Sequence, residues 1–466
     1  MADHAFDVSE FIEARGFSRF LIGLILVSWF VTVFDGFDMN VIAYAAPHIA
    51  KEFAIDRALM GVVFSVGLVG TMAGGFLFGY VGDSIGRRPA ILLAAAIFTV
   101  LTFAIATVST PVQLIVLRFL NGVAVGGMMP VIWALNIEYA PKRFRSTVVT
   151  LIMLGYSFGA AIGGPLAIWL VPAFGWRSLF VFGGAMSLVA VAILVLALPE
   201  SIEFLAIKGR RFDVIARIVR RIDRSRHLSA NTQFTAAAKA QPGAAGFKVA
   251  RLFEGPLRAV TPLLWLAYIA SSMAVFFIAN WTPLLAEALG ESHEQAAISG
   301  SFHSLGGALG GLLLMRFVDT RGAVAITAMP VLALPVLLFA GTAPQGHAMF
   351  LAIFFFVGMF IVGAHIGLHS IAGIFYPTAY RSNGAGWATS VAKIGSILGP
   401  WIGGLILSSR LPPQHMFWVL AICPLVVAIS IFALGRMHGR MLRLETIARQ
   451  STAVDLPIAA AEQRVS

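Results

Sequence analysis

Two aspartates three positions apart, Asp35 and Asp38, stand in VFDGFDMN, well inside the apolar run FLIGLILVSWFVTVFDGFDMNVIAYAAP (20–47). A carboxylate at the centre of a membrane-length helix costs about 2.5–3.5 kcal/mol on insertion scales, so such groups face a cavity or an opposite charge. At i and i+3 the two acids share one helix face. Arg118 is the natural partner. Asp38 lies nine residues before Pro47 and Arg118 seven after Pro111. With both prolines at the outer end of their spans, a rise of 1.5 Å per residue brings the two side chains to similar depth. The pair is either a static buried ion pair or a switch. A switch is expected, because a carboxylate in a low dielectric takes up a proton readily and the proton cancels one charge.

A second intramembrane cation, Lys393, falls ten residues into the run 383–408. An ammonium there needs a counterion, supplied by a bound ligand's carboxylate or by a protein acid. His303, His365 and His369 add polar points on two other runs, His365 being the best placed for a cavity. Asn280 and Trp281 in FFIANWTP and the rings of FFFVGMF (354–360) offer walls, although aromatic residues in spans usually face lipid or neighbouring helices.

These residues need helices to hold them. The 466-residue chain is 59% hydrophobic and 12% charged, against about 25% charged in soluble domains. It reads as an all-α membrane protein. Spans of about 20 apolar residues are expected at 20–47, 59–81, 89–108, 112–138, 146–171, 178–198, 259–288, 295–318, 323–340, 347–375, 383–408 and 414–435. The start of the chain is acidic and the first run is long enough to span, so no cleavable signal is expected. With both termini inside, Lys51, Arg57, Arg177 and Arg410 fall outside, Arg118 and Lys393 fall in the membrane, and every other Lys/Arg is cytoplasmic. The positive-inside rule therefore accounts for the net charge of +11 and removes nucleic acid as its explanation. Cys423 is the single cysteine, which excludes an intrachain disulfide and a cysteine-based metal cluster.

The runs divide into two sets of six: a cytoplasmic segment 1–19, a first half 20–198, a basic linker 199–258, a second half 259–436 and a cytoplasmic tail 437–466. The linker contains GRRFDVIARIVRRIDRSRH (209–227), which reads as an amphipathic helix lying against anionic lipid or as a regulatory docking surface. The halves echo one another. Asp83/Asp319, Arg145/Arg381 and Gly159/Gly395 are each 236 positions apart, as expected for two six-helix halves that repeat.

GYVGDSIGRR (79–88), between the second and third runs, resembles the G-x-x-x-D-R-x-G-R-R signature of the major facilitator superfamily, with Ser84 at the first arginine of the pattern. Gly79 and Gly86 permit close helix approach. Asp83, Arg87 and Arg88, with Asp319 and Arg321 in the echo MRFVDTRGA (315–323), are expected to gate the cytoplasmic side without touching substrate. FDVSEFIEARGFSRF and FDGFDMNVIAYAAPHIAKEF, LRFLNGVAVGGMMPVIWALNIEYAPKRFRS (117–146), FGWRSLFVFGG and LPESIEFL resemble the aromatic acid:proton symporter family of that superfamily over nearly the whole chain. The resemblance implies the major facilitator fold of twelve helices in two six-helix halves. It also implies proton coupling through Asp35, Asp38, Arg118 and Glu138, and substrate contacts at Lys393, Arg118, Asp38, His365, Asn280 and Trp281. The family reads G-R-x-G in its eleventh span where this chain has Ala392-Lys393-Ile394-Gly395. The charge is kept, but lysine lacks the planar fork with which arginine grips a carboxylate.

The function so implied is import of an aromatic carboxylate of hydroxybenzoate or benzoate type with protons, across a bacterial inner membrane, by a chain working as a monomer. Enzymatic activity is not expected: GYSFG (155–159) fits G-x-S-x-G but lies in an apolar helix rather than a strand-to-helix elbow. No G-x-x-x-x-G-K-[ST] loop occurs, so ATP is not the energy source, and neither metal ligand sets nor cofactors are expected. Rival readings are an efflux antiporter, whose glycine-proline pattern GSILGPWIGG (395–404) sits in the eleventh run rather than the fifth, a porter of sugars or other organic acids, and a receptor, for which a signalling domain is missing.

Overall fold

The computed structural model describes residues 6–209, 211–223, 232–235, 249–255, 257–321, 323–342, 346–376, 381–409 and 411–437, without the side chains of 146, 315–325, 370–374 and 381–382. In chain order the elements are β1 (Phe6–Asp7), α1 (Val8–Glu13), α2 (Arg19–Glu52), α3 (Arg57–Ile85), α4 (Arg87–Ile105), α5 (Pro111–Glu138), α6 (Arg145–Phe174), α7 (Arg177–Ala197), α8 (Ile202–Ile207), α9 (Phe212–Ile222) and β2 (Phe234–Thr235). Then come α10 (Leu257–Ala288), α11 (His293–Arg321), α12 (Ala323–Ala340), α13 (His347–Phe375), α14 (Arg381–Ser408) and α15 (His415–Met437). Among the described residues eleven helices are long and apolar enough to cross a membrane; α12 is the shorter twelfth. Side-chain caps set several starts: Ser18 accepts from the Leu21 amide, Asp56 from that of Leu59, and Thr110 from that of Gln113 just before Pro111, satisfying amides that lack helical partners. Pro47 does not end the first span, since α2 continues through it to Glu52.

The two halves are built on one pattern of backbone contacts. A Cβ added to Gly159 would run into the carbonyl oxygen of Val33, and one on Gly395 into that of Ile269. Gly74 abuts the Val123 carbonyl as Gly310 abuts that of Met359; Gly70 meets Phe119 as Gly306 meets Phe355. Every one of these correspondences keeps the 236-residue offset. Small residues let helix backbones close to this distance, so α2 packs on α6 and α3 on α5 as α10 packs on α14 and α11 on α13.

The halves meet at the end opposite the chain termini. There a single apolar cluster draws Val41, Ile49, Phe64 and Leu170 from the first half together with Ile278, Trp281, Phe354 and Leu407 from the second. The Trp281 indole donates to the Pro400 carbonyl (2.9 Å) and lies edge-on to Phe64. Ser65 donates to the Ile397 carbonyl at 2.8 Å and Arg57 to that of Leu407 at 3.1 Å. Gly61 is a close-approach point, its would-be Cβ 2.9 Å from the Pro400 oxygen. At the termini end the described apolar residues form two separate clusters, one within residues 8–234 and one within 252–434. Among the described residues the far end is sealed across the two halves and the termini end is divided.

The linker does not hang free of the first half. Helix α9 buries Ile215, Ile218 and Val219 in the same cluster as Phe11, Ile12 and Leu205. β1 pairs in parallel with β2, Phe6 opposite Phe234, and Arg15 forms an ion pair with Asp223.

Candidate functional site

Asp35 and Asp38 lie on α2 and Arg118 on α5, all buried. Asp38 Oδ2 is 3.9 Å from Arg118 Nη1, well beyond the 2.7–2.9 Å of a charge-assisted hydrogen bond. The other Asp38 oxygen, Oδ1, accepts from Thr102 Oγ1 at 3.3 Å, and Asn121 Nδ2 donates to that hydroxyl at 3.0 Å. Among the described residues Asp38 Oδ2, Asp35 Oδ1, and Nε and Nη1 of Arg118 have no hydrogen-bond partner. A buried pair this slack leaves both charges incompletely compensated. Thr102 and Asn121 were not singled out from the sequence. Their signal was a hydroxyl and an amide on apolar helices, Asn121 one turn beyond Arg118 on the same face.

Lys393, on α14 of the opposite half, is half-buried and within electrostatic range of Asp35, the protein acid whose charge it feels. No ion pair within 4 Å joins them among the described residues. On α13, His365 Nδ1 lies 3.0 Å from Ser271 Oγ, and its ring is 5.1 Å from that of His369. His369 in turn is edge-on to Tyr268. The field of Lys393 reaches both histidines. Acids and arginine on one half thus oppose a lysine with two histidines on the other.

Other expected contact residues fall elsewhere. Trp281 is fully buried in the far-end seam with its N–H already bonded. Asn280 is 8% exposed, and its amide donates back to the Phe276 carbonyl at 2.8 Å. His303 packs against Gly358, its Nδ1 without a partner among the described residues. Glu138 closes α5 twenty residues beyond Arg118, about 30 Å along the helix, and accepts from Arg87 Nε at 3.3 Å.

That contact belongs to a compact charge network at the termini end. Arg87 Nη1 donates to Asp83 Oδ1 at 2.6 Å and to the Gly82 carbonyl at 2.7 Å. Glu200 Oε1 accepts from the backbone amides of Arg87, Arg88 and Ser201 at 2.8–3.1 Å. It therefore caps the start of α4, where a carboxylate meets the helix dipole favourably. Arg88 donates to the Val195 carbonyl, while Ser84 bonds back to Tyr80 on its own helix. Gly86 takes φ +112°, and a side chain there would strike Glu200. Gly79 has open space around it. The sequence gives no sign of the Glu200 cap in LPESIEFL, because the Arg87 and Arg88 amides that it holds lie more than a hundred residues away. The side chains of Asp319 and Arg321 lie outside the described residues, so the network as described belongs to the first half.

The Major Facilitator Superfamily family model matches residues 28–237 and 264–446. This chain belongs to the major facilitator superfamily. It is 31% identical to a gallate transporter of Pseudomonas putida, covering 94% of this chain and 97% of that protein. It is 30% identical to a 4-hydroxybenzoate transporter of Acinetobacter baylyi over 91% and 93% of the two. Among solved structures it resembles a bacterial homolog of the human lysosomal transporter Spinster, crystallised inward-facing and unoccupied. The TM-score is 0.68 at 16% identity, with 91% of this chain and 99% of that one covered. The twelve-helix, two-half fold is the superfamily's, and the chain is a multi-pass membrane transporter, not an enzyme.

Proposed function

We propose that this transporter imports an aromatic carboxylate, of hydroxybenzoate, gallate or benzoate type, together with a proton across the bacterial inner membrane, working as a monomer. The gallate and 4-hydroxybenzoate relatives support the substrate class. The slack Asp38–Arg118 pair carries the proton reading: its buried oxygen, unpartnered among the described residues, can accept a proton, and protonation releases the arginine from the acid 3.9 Å away. With both termini in the cytoplasm, the sealed far end faces outward and the molecule is open inward.

In this reading Lys393 is the anchor for the substrate carboxylate. Before substrate arrives, Asp35 supplies the counter-charge from across the divide. The incoming carboxylate takes that role, and the proton held by Asp38 removes the like charge beside Asp35 on the same helix face. Aromatic rings near the seam provide apolar walls, and His365 a polar contact. Asp83, Arg87, Arg88 and Glu138, with Asp319 and Arg321, act as the gate, meeting across the termini end when it closes. A monoanion moving with one proton carries no net charge, so the pH gradient alone drives uptake; a second proton would add about 2.3 kcal/mol per 100 mV.

The test is uptake of radiolabelled 4-hydroxybenzoate into proteoliposomes with a pH gradient, a potential, or neither. Accumulation driven by an inward proton gradient and collapsed by a protonophore is expected. Accumulation against an outward gradient, or none with any gradient, would overturn the symport reading.

A further inference from the structure

The folded linker creates a cleft of about 1280 Å³ where α9 and β2 meet the start of α2 and the end of α7. Its floor is apolar: Phe20, Leu24 and Val27 of α2, Leu196 of α7, and Phe212 with Phe234 of the linker. Its rim is cationic. Arg19, Arg217, Arg220 and Arg221 line it, with Asp213 the single acid among the described lining residues. Asp213 lies 3.7 Å from Arg217 and offsets one of the four charges. The cleft sits at the level where helices leave the membrane, and its apolar floor continues onto outward-facing side chains: Leu196 is 84% exposed and Leu26 60%, with Ile22 and Val195 beside them.

We infer that this cleft is a binding site for an anionic phospholipid, its phosphate held by Arg217, Arg220, Arg221 and Arg19 and its acyl chains laid along Leu26, Ile22 and Leu196. Three features favour a lipid over a free anion. The apolar floor is of no use to a hydrated ion, it opens toward the bilayer, and the arginines come from two elements that converge at headgroup height. Guanidinium forks suit phosphate oxygens, and basic residues near an anionic leaflet attract its lipids. The ligand would also tie the linker to the first half, because its headgroup touches both α9 and α2. The inference rests on the membrane fold and is independent of the transported substrate.

The experiment uses the full chain purified in mild detergent, with native mass spectrometry and thermal unfolding in added phosphatidylglycerol, phosphatidylcholine or inorganic phosphate. Phosphatidylglycerol should be retained and raise the unfolding midpoint, phosphatidylcholine should do so far less, and inorganic phosphate should neither stabilise nor displace the lipid. Each of Arg217→Gln, Arg220→Gln and Arg221→Gln should weaken phosphatidylglycerol retention about fivefold. These side chains are exposed, so the variants should fold. Gly23→Leu is the second probe. A Cβ there meets nothing within 4 Å, so leucine can enter the cleft without a backbone clash and should exclude the lipid while every arginine stays. Equal retention of the two lipids, full competition by inorganic phosphate, or native retention in the Arg and Gly23→Leu variants would each overturn the site.

Discussion

The two halves share a backbone and differ in chemistry, and the 236-residue register shows where. Val33 and Gly159 touch as Ile269 and Gly395 do. On that common scaffold Asp35 corresponds to Ser271, Asp38 to Ala274 and Arg118 to Phe354, while Lys393 corresponds to Ser157. The first half therefore carries the acids and the arginine, and the second carries the lysine, with His365 bonded to the serine that replaces an aspartate. Duplicated packing fixes where a side chain can project. What projects there is free to differ, and the difference separates the proposed proton site from the proposed anion site across the interface between the halves.

The strongest way to break this comparison is to remove the acid that its counterpart lacks. Asp38→Asn should reduce gradient-driven accumulation to the level of empty vesicles, while the purified protein keeps its helical circular dichroism and elutes as native. Normal proton-driven uptake by that variant would return the Asp38–Arg118 pair to a static role. Next comes the lysine. Lys393→Ala should weaken binding of 4-hydroxybenzoate by more than about a hundredfold, since stripping a buried charge of its partner costs about 3–5 kcal/mol. Lys393→Arg should keep most of the affinity. Ser157→Ala, at the matching position of the first half, should leave it unchanged, and calorimetric titration reads all three.

The shared scaffold gives a smaller and symmetrical expectation. Gly159→Ala and Gly395→Ala each force a methyl onto a carbonyl, so both should destabilise by about 1–3 kcal/mol, visible as similar drops in unfolding midpoint. A large effect in one half with none in the other would sharpen the contrast into one of packing as well as chemistry. The smallest effect is expected at the termini end. Asp83 is largely exposed, and Arg87 keeps Glu138 and the Gly82 carbonyl without it. Asp83→Ala should lower turnover by a few-fold without changing substrate affinity; a large affinity loss with native turnover would contradict a gating role.

Much of this was legible in order along the chain. Apolar runs of membrane length mark the spans, because a bilayer imposes one length on every helix that crosses it. Three motif pairs at one offset revealed the repeat that three pairs of glycine–carbonyl contacts share. Counting depth from two prolines placed Asp38 opposite Arg118, and the side chains do meet, although Pro47 lies within its helix rather than at its end. The illegible part is whatever depends on which face of a helix looks at what. Trp281 reads as a cavity wall and lies in the seam; Glu138 resembles a member of the proton site and sits with Arg87. The linker reads as a strip on the membrane, yet Ile215 and Val219 pack beneath the first half. Periodicity says that a face is apolar and is silent about its partner.

The far-end seam has a thermal consequence. It is closed by apolar side chains that water must reach when the opposite state forms. Exposing such surface raises heat capacity by about 0.45 cal/K/mol for each Å², so the enthalpy of opening changes steadily with temperature. Hydrophobic attraction also weakens on cooling. The balance between the two orientations of this transporter is therefore set partly by temperature. Cold should favour release of the seam, and warmth should hold it shut.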